Sequence, residues 1–139
     1  MAHTWLVDTN TLIHAMRGQP PRVREELRRR APSEIAVSSV TVAELWYGAE
    51  KHADASRKRE AWSAALAPYD ILSFDRAAAE HHARLRYALR HNPIGERDLL
   101  IAAIALANRL TVVTHNVKEF GRVPDLVVED WARANHEPE

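Results

Sequence analysis

Three carboxylates in this chain stand where chemistry could be done. Asp8 follows the apolar run Trp5-Leu6-Val7, Glu44 lies within Thr41-Val42-Ala43-Glu44-Leu45, and Asp98 opens Asp98-Leu99-Leu100-Ile101-Ala102-Ala103. Each sits at the edge of a segment that reads as buried. Singly, each has a structural explanation as good as a functional one. Asp8 suits a helix cap or an Asx-turn, Glu44 the far half of a capping box begun by Thr41, and Asp98 the first turn of a helix, where negative charge is favoured. Together they point further. When strands alternate with helices in a parallel sheet, strand C-termini and the N-termini of the following helices share one rim, and ligands bind there. Carboxylates converging on that rim raise one another's pKa. Keeping them ionised calls for a cation. Oxygen ligands in a chain without cysteine point to Mg²⁺, with Mn²⁺ as a substitute. In acidic sites such ions serve phosphoryl or phosphodiester hydrolysis.

The elements that must position these groups follow from periodicity and breakers. Trp5 to Val7 reads as a strand buried on both faces, followed by a helix over 11–17 that Thr9 or Asn10 can cap. Gly18-Gln19-Pro20-Pro21 breaks the chain, and a second helix runs to Arg30. A strand is expected over 34–39, then helices over 40–52 and roughly 55–67. A short strand over 70–74 ends in Asp75, a cap for a helix reaching about Arg90. Asn92-Pro93-Ile94-Gly95 is a loop. The helix over 98–107 is apolar almost all round and reads as the central one, with Asn108 as its left-handed terminator. A strand over 110–114 ends in His115-Asn116, and a loop leads to a last strand over 126–128. From about Ala132 to Glu139 the tail is polar and expected to fray. This alternation predicts an α/β fold with a parallel sheet covered on both faces.

Composition narrows the class. At 139 residues the chain is expected to be a single domain, 1–139. With 46% hydrophobic and 27% charged residues and a net charge of zero, it reads as soluble and globular. The lack of cysteine removes disulfides and thiolate zinc sites. No apolar stretch is long enough to span a membrane, the N-terminus has no signal-peptide pattern, and the default location is the cytoplasm. Arg28-Arg29-Arg30 and Arg57-Lys58-Arg59, with Arg84, Arg86 and Arg90, are basic clusters that suit either phosphate contacts or solvated helix faces. The eight histidines show no close-spaced zinc pattern, and only His115 flanks a carboxylate segment.

Four motifs occur in order: Val7-Asp8-Thr9-Asn10; Thr41-Val42-Ala43-Glu44-Leu45 with Gly48; Ile94-Gly95 followed by Asp98-Leu99-Leu100-Ile101-Ala102-Ala103; and Thr114-His115-Asn116 with Phe120. The set resembles PIN-domain ribonucleases, in particular the VapC toxins of toxin–antitoxin pairs, over nearly the whole chain. The resemblance implies a three-layer α/β/α sandwich with a central, mostly parallel sheet. It also implies a Mg²⁺-dependent endoribonuclease that hydrolyses RNA phosphodiester bonds, and a cognate protein antitoxin that blocks it. A homodimer is a common arrangement in the family. By position, Asp8, Glu44 and Asp98 match the family's acidic metal site. Asn116 falls where a fourth acid, or an Asn, stands, and Thr9 and Thr114 match polar neighbours. Glu119 is a nearby carboxylate able to compensate for Asn116. Glu96 is read as an outer or solvent-facing acid. Trp46 and Tyr47 are candidates for the groove an antitoxin fills, or else core residues, and Ile94 with Tyr87 and Leu89 for a dimer interface.

Two rivals remain. A catalytically weak PIN-like module that binds RNA or a partner gains from Asn116 but not from three retained acids. A phosphatase with an aspartyl nucleophile would want a second acid at position 10, where Asn10 stands, and a late lysine, for which only Lys118 is available.

Overall fold

Apolar runs of only a few residues carry the centre of the fold, which a computed structural model describes for residues 3–133. In chain order the elements are β1 (Trp5–Val7), α1 (Thr9–Arg17), α2 (Pro21–Arg28), a 3₁₀ turn (Pro32–Glu34), β2 (Ile35–Ser38), α3 (Ser39–Glu50), α4 (Ala55–Leu66), β3 (Asp70–Leu72), α5 (Arg76–Ala88), α6 (Glu96–Ala107), β4 (Thr111–Val113), α7 (Val117–Phe120) and β5 (Val128–Glu129). The strands form one sheet in the order β3-β2-β1-β4-β5, and every pairing is parallel.

The pleat explains the layers. Successive strand residues point to opposite faces. Leu6, Ala36 and Val112 enter one core with Ala78 and Leu85 of α5 and with Leu99 and Ile101 to Ala105 of α6. Val7, Ile35, Val37 and Val113 enter the other with Leu12 of α1, Leu45 of α3, and Trp62 and Leu66 of α4. Helices therefore cover both faces, and the central strands are apolar apart from Thr111 at the start of β4 and Ser38 at the end of β2. The α6 helix is as deeply buried as its sequence predicts, with Ala102 to Ala105 fully enclosed. Among the described residues no helix is long and apolar enough to cross a membrane.

Caps set the strand-to-helix turns. Ser38 caps α3 by accepting the Thr41 N–H, and Asp75 caps α5 by accepting that of Ala78. Gly18 closes α1 at φ 69°, the left-handed region that glycine tolerates best.

Several expectations need correction. The last strand is Val128–Glu129 rather than 126–128, because Leu126 turns into the core while Val127 is exposed. Residues 117–120, read as loop, form the short helix α7, which buries Phe120. Asn108 ends α6 without adopting a left-handed backbone; Arg109, at φ 57°, does so instead. Ile94, offered as an exposed interface residue, is buried in the α6 core, and Leu89 packs against the same core, whereas Tyr87 is exposed. The chain past β5 is held as far as it is described. Trp131 is buried edge-on against Trp5 with the Arg30 guanidinium over both rings, and Ala132 N–H donates to Asp130. The expected frayed tail otherwise lies outside the described residues.

Candidate active site

Polar side chains replace the core at the rim formed by the C-terminal ends of β1, β2 and β4. Past Val7 the chain leaves the sheet, and Asp8 caps α1: its Oδ1 accepts the Thr11 N–H at 2.9 Å. Its Oδ2 accepts the Thr114 hydroxyl at 2.5 Å. The parallel register that pairs Val7 with Val113 sets Asp8 and Thr114 side by side. One carboxylate thus caps a helix and still presents charge to the rim. Asp8 is only 5% exposed. Burial lifts its pKa, the bonds from Thr114 and Thr11 draw it back, and the Glu44 charge adds to the rise.

Glu44 does not complete the expected capping box. Ser38 takes the cap one turn earlier, Thr41 is fully buried, and Glu44 stands in the second turn of α3, beside the rim. A chain of hydroxyls leads to it. Ser38 Oγ lies 3.2 Å from Thr41 Oγ1, which lies 3.0 Å from Thr9 Oγ1, which lies 2.6 Å from Glu44 Oε1. Each hydroxyl has one proton. The carboxylate has none, so Thr9 donates to Glu44, Thr41 to Thr9, and Ser38 to Thr41. The row fixes one oxygen of Glu44. The other accepts from Arg97 Nη1 at 3.0 Å.

Asp98 lies in the first turn of α6, whose cap is Gly95. Burial, above all, pushes its carboxyl up to about 7, and Glu119 and the Asp8 charge add to the rise. Glu119 is held low, chiefly by Asn116 and then by Asp98. Of the two carboxyls, Asp98 therefore binds a proton more readily than Glu119. Asn116 Nδ2 lies between the two acids, 3.2 Å from Asp98 Oδ2 and 2.7 Å from Glu119 Oε2. Gly95 N–H donates to Glu119 Oε1 at 3.2 Å. The turn of α7 thus delivers Glu119 to Asp98.

Asp8, Glu44, Asp98 and Asn116 therefore all face one rim, with Thr9 and Thr114 bonded to two of the carboxylates. Glu96 is exposed to solvent. His115 flanks the rim in sequence, but past the end of β4 its ring meets Asp130, with Nδ1 3.0 Å from Oδ2. Sequence reasoning missed Arg97, a cation among the acids; its place next to Asp98 was the only available signal. Among the described residues no three acids or histidines already stand as a finished metal cage. The donors are all hard oxygens, and a divalent cation would relieve the repulsion that helps raise the Asp98 carboxyl.

A PIN-domain family model matches residues 5–126. The tRNA(fMet)-specific endonuclease VapC of Salmonella typhimurium is 35% identical over 91% of this chain and 97% of its own length. Ribonuclease VapC2 of Rickettsia felis is 34% identical over the same shares. A crystal structure of DNA-bound VapBC from Salmonella typhimurium superposes with a TM-score of 0.86 at 34% identity, covering 93% of this chain and 98% of that one. Family model, relatives and solved fold agree over the span that carries all four rim residues, and the chain belongs to the PIN-domain family, among the VapC ribonucleases.

Proposed function

We propose that this chain is a metal-dependent endoribonuclease, the toxin of a type II toxin–antitoxin pair, cutting RNA at the rim of Asp8, Glu44, Asp98 and Asn116. The observation that carries the reading is the bonded arrangement at one rim, where Thr114 donates to Asp8, Thr9 to Glu44 and Asn116 to Asp98. The donor set is all oxygen, which fits Mg²⁺, or Mn²⁺ in its place. Asp8 and Asp98 would hold the ion, with Glu44 ligating directly or through water. Bound there, a divalent ion supplies an activated water and charge stabilisation at the phosphate. The chain's own residues do the rest. Thr114 and Thr11 hold Asp8 against the core, the hydroxyl row fixes Glu44, and Asn116 keeps Asp98 and Glu119 in register. No side chain serves as nucleophile. The aspartyl-phosphatase alternative is not supported, since Asn10 is exposed and has no acid in its place.

A VapB-type antitoxin is the proposed partner, because the Salmonella structure is a VapBC assembly. Its proposed seat is an apolar groove of about 550 Å³ between α3 and α4, lined by Val42, Trp46, Leu66, Tyr69 and Ile71. Trp46, expected in that role, faces this groove with the Arg59 guanidinium over its ring, whereas Tyr47 turns away from it. Cytoplasmic action and a homodimer complete the proposal. The test is cleavage of an RNA pool by the purified chain: activity with Mg²⁺ or Mn²⁺ and none in EDTA is expected, and equal cleavage in EDTA would overturn the metal reading.

A further inference from the structure

A second groove, of about 760 Å³, opens directly from the rim between α3 and α6. Glu44, Tyr47 and Lys51 recur at helical spacing, so they share the face of α3 that forms one wall. Arg97 and Leu100 of α6 form the other, and Thr9 stands at the mouth. Thr9 and Glu44 therefore belong to rim and groove alike.

The groove has a chemistry the rim lacks. The rim is crowded with carboxylates and repels a phosphate backbone, whereas the groove holds two cations. Tyr47 is 64% exposed, with Lys51 Nζ 4.7 Å from its ring centroid. In the same groove the Arg97 side chain is 70% exposed and donates to Glu44. An ion pair whose cation is so exposed holds weakly, and a phosphate can draw the guanidinium off Glu44 at little cost. An exposed ring that shares a groove with cations is what single-stranded nucleic acid uses, a base on the ring and phosphates on the charges. The α3–α4 groove, by contrast, has no charged residue in its lining.

We propose that the α3–α6 groove is a single-stranded RNA subsite next to the cleavage site, in which Tyr47 stacks a base while Arg97 and Lys51 hold the adjoining phosphate. This rests on the ribonuclease reading above. The test is fluorescence anisotropy with a labelled, mixed-sequence single-stranded oligoribonucleotide and Asp8→Asn protein, which leaves the RNA uncut. Added to that background, Tyr47→Ala should weaken binding about tenfold, and Tyr47→Phe should restore it. Arg97→Gln should lower the slope of log Kd against log salt by about 0.7, the share of one phosphate on a single strand, and Arg97→Lys should restore the slope. Both side chains are exposed, so these variants should melt as the parent does. Parent-like affinity in Tyr47→Ala together with a parent-like salt slope in Arg97→Gln overturns the subsite. Wild-type cleavage of the same oligonucleotide reads the underlying ribonuclease assignment on its own: no cleavage and no binding by the parent would remove both.

Discussion

Asp98→Asn should stabilise the metal-free protein, and the gain should grow with pH. The Asp98 carboxyl ordinarily titrates near 3.8 but is pushed up to about 7 in the fold. The folded state therefore holds this proton more tightly than the unfolded state. For an acid shifted upward, the unfolded chain releases the proton first, so stability falls as pH rises from about 4 to about 7 and is flat above. Asparagine never ionises and escapes that loss. At about 1.4 kcal/mol per tenfold in proton affinity, the gap sets a ceiling of roughly 4 kcal/mol. Asp98 is only partly buried and its neighbour Glu119 faces solvent, so screening reduces the expected gain to about 1–2 kcal/mol. In a chain of this size that is roughly 3–8 °C in Tm. Thermal melts in EDTA should therefore show the two proteins close together near pH 4 and Asp98→Asn ahead at pH 8. Adding Mg²⁺ at pH 8 should reverse the order, since only the wild type retains the carboxylate that binds it. A constant difference across pH, or an Asp98→Asn protein less stable at pH 8 in EDTA, would refute the account of this carboxyl.

Three further outcomes are expected. Thr114→Val deletes the hydroxyl that serves Asp8 and accepts the Asn116 N–H; melts should show a loss of about 1–3 kcal/mol, which Thr114→Ser should largely recover, and an unchanged Tm would contradict the geometry. Asn116→Asp exchanges a donor shared by Asp98 and Glu119 for a further charge, so calorimetric titration of RNA-free protein should find one Mg²⁺ in the wild type and a tighter second ion in the variant; two tight sites in both would refute it. Light scattering at micromolar concentration should give a dimer mass, and Tyr87→Glu should reduce it; a wild-type monomer removes the homodimer.

The strands and the rim were legible because apolar runs that end in a polar residue mark where a buried strand stops. Asp8 follows from that signal, whereas Asp98 is marked by the apolar helix it opens. For Glu44 it is the competing structural explanation that fails. Thr41-Val42-Ala43-Glu44 has capping-box spacing, but Ser38 at the end of β2 takes the cap, and Thr41 is spent in a hydroxyl row instead. That row depends on the register of β1 beside β2, which no local pattern encodes. Glu119 and Arg97 depend on side-chain direction across α6 and α7. Ile94 reads as a loop residue, yet the chain folds it under α6. Trp131 lies beyond the last strand and is buried because Trp5 and Arg30, from the other end of the chain, close over it.

The central claim is that Asp8 and Asp98 together make the cleavage site. Single-turnover cleavage of RNA in Mg²⁺, at equal concentrations of wild type, Asp8→Asn and Asp98→Asn, tests it most directly. Circular dichroism on the same samples verifies that each is folded. The account expects both variants to fall to the level of wild type in EDTA while keeping a native spectrum. Near wild-type cleavage by either folded variant would contradict it.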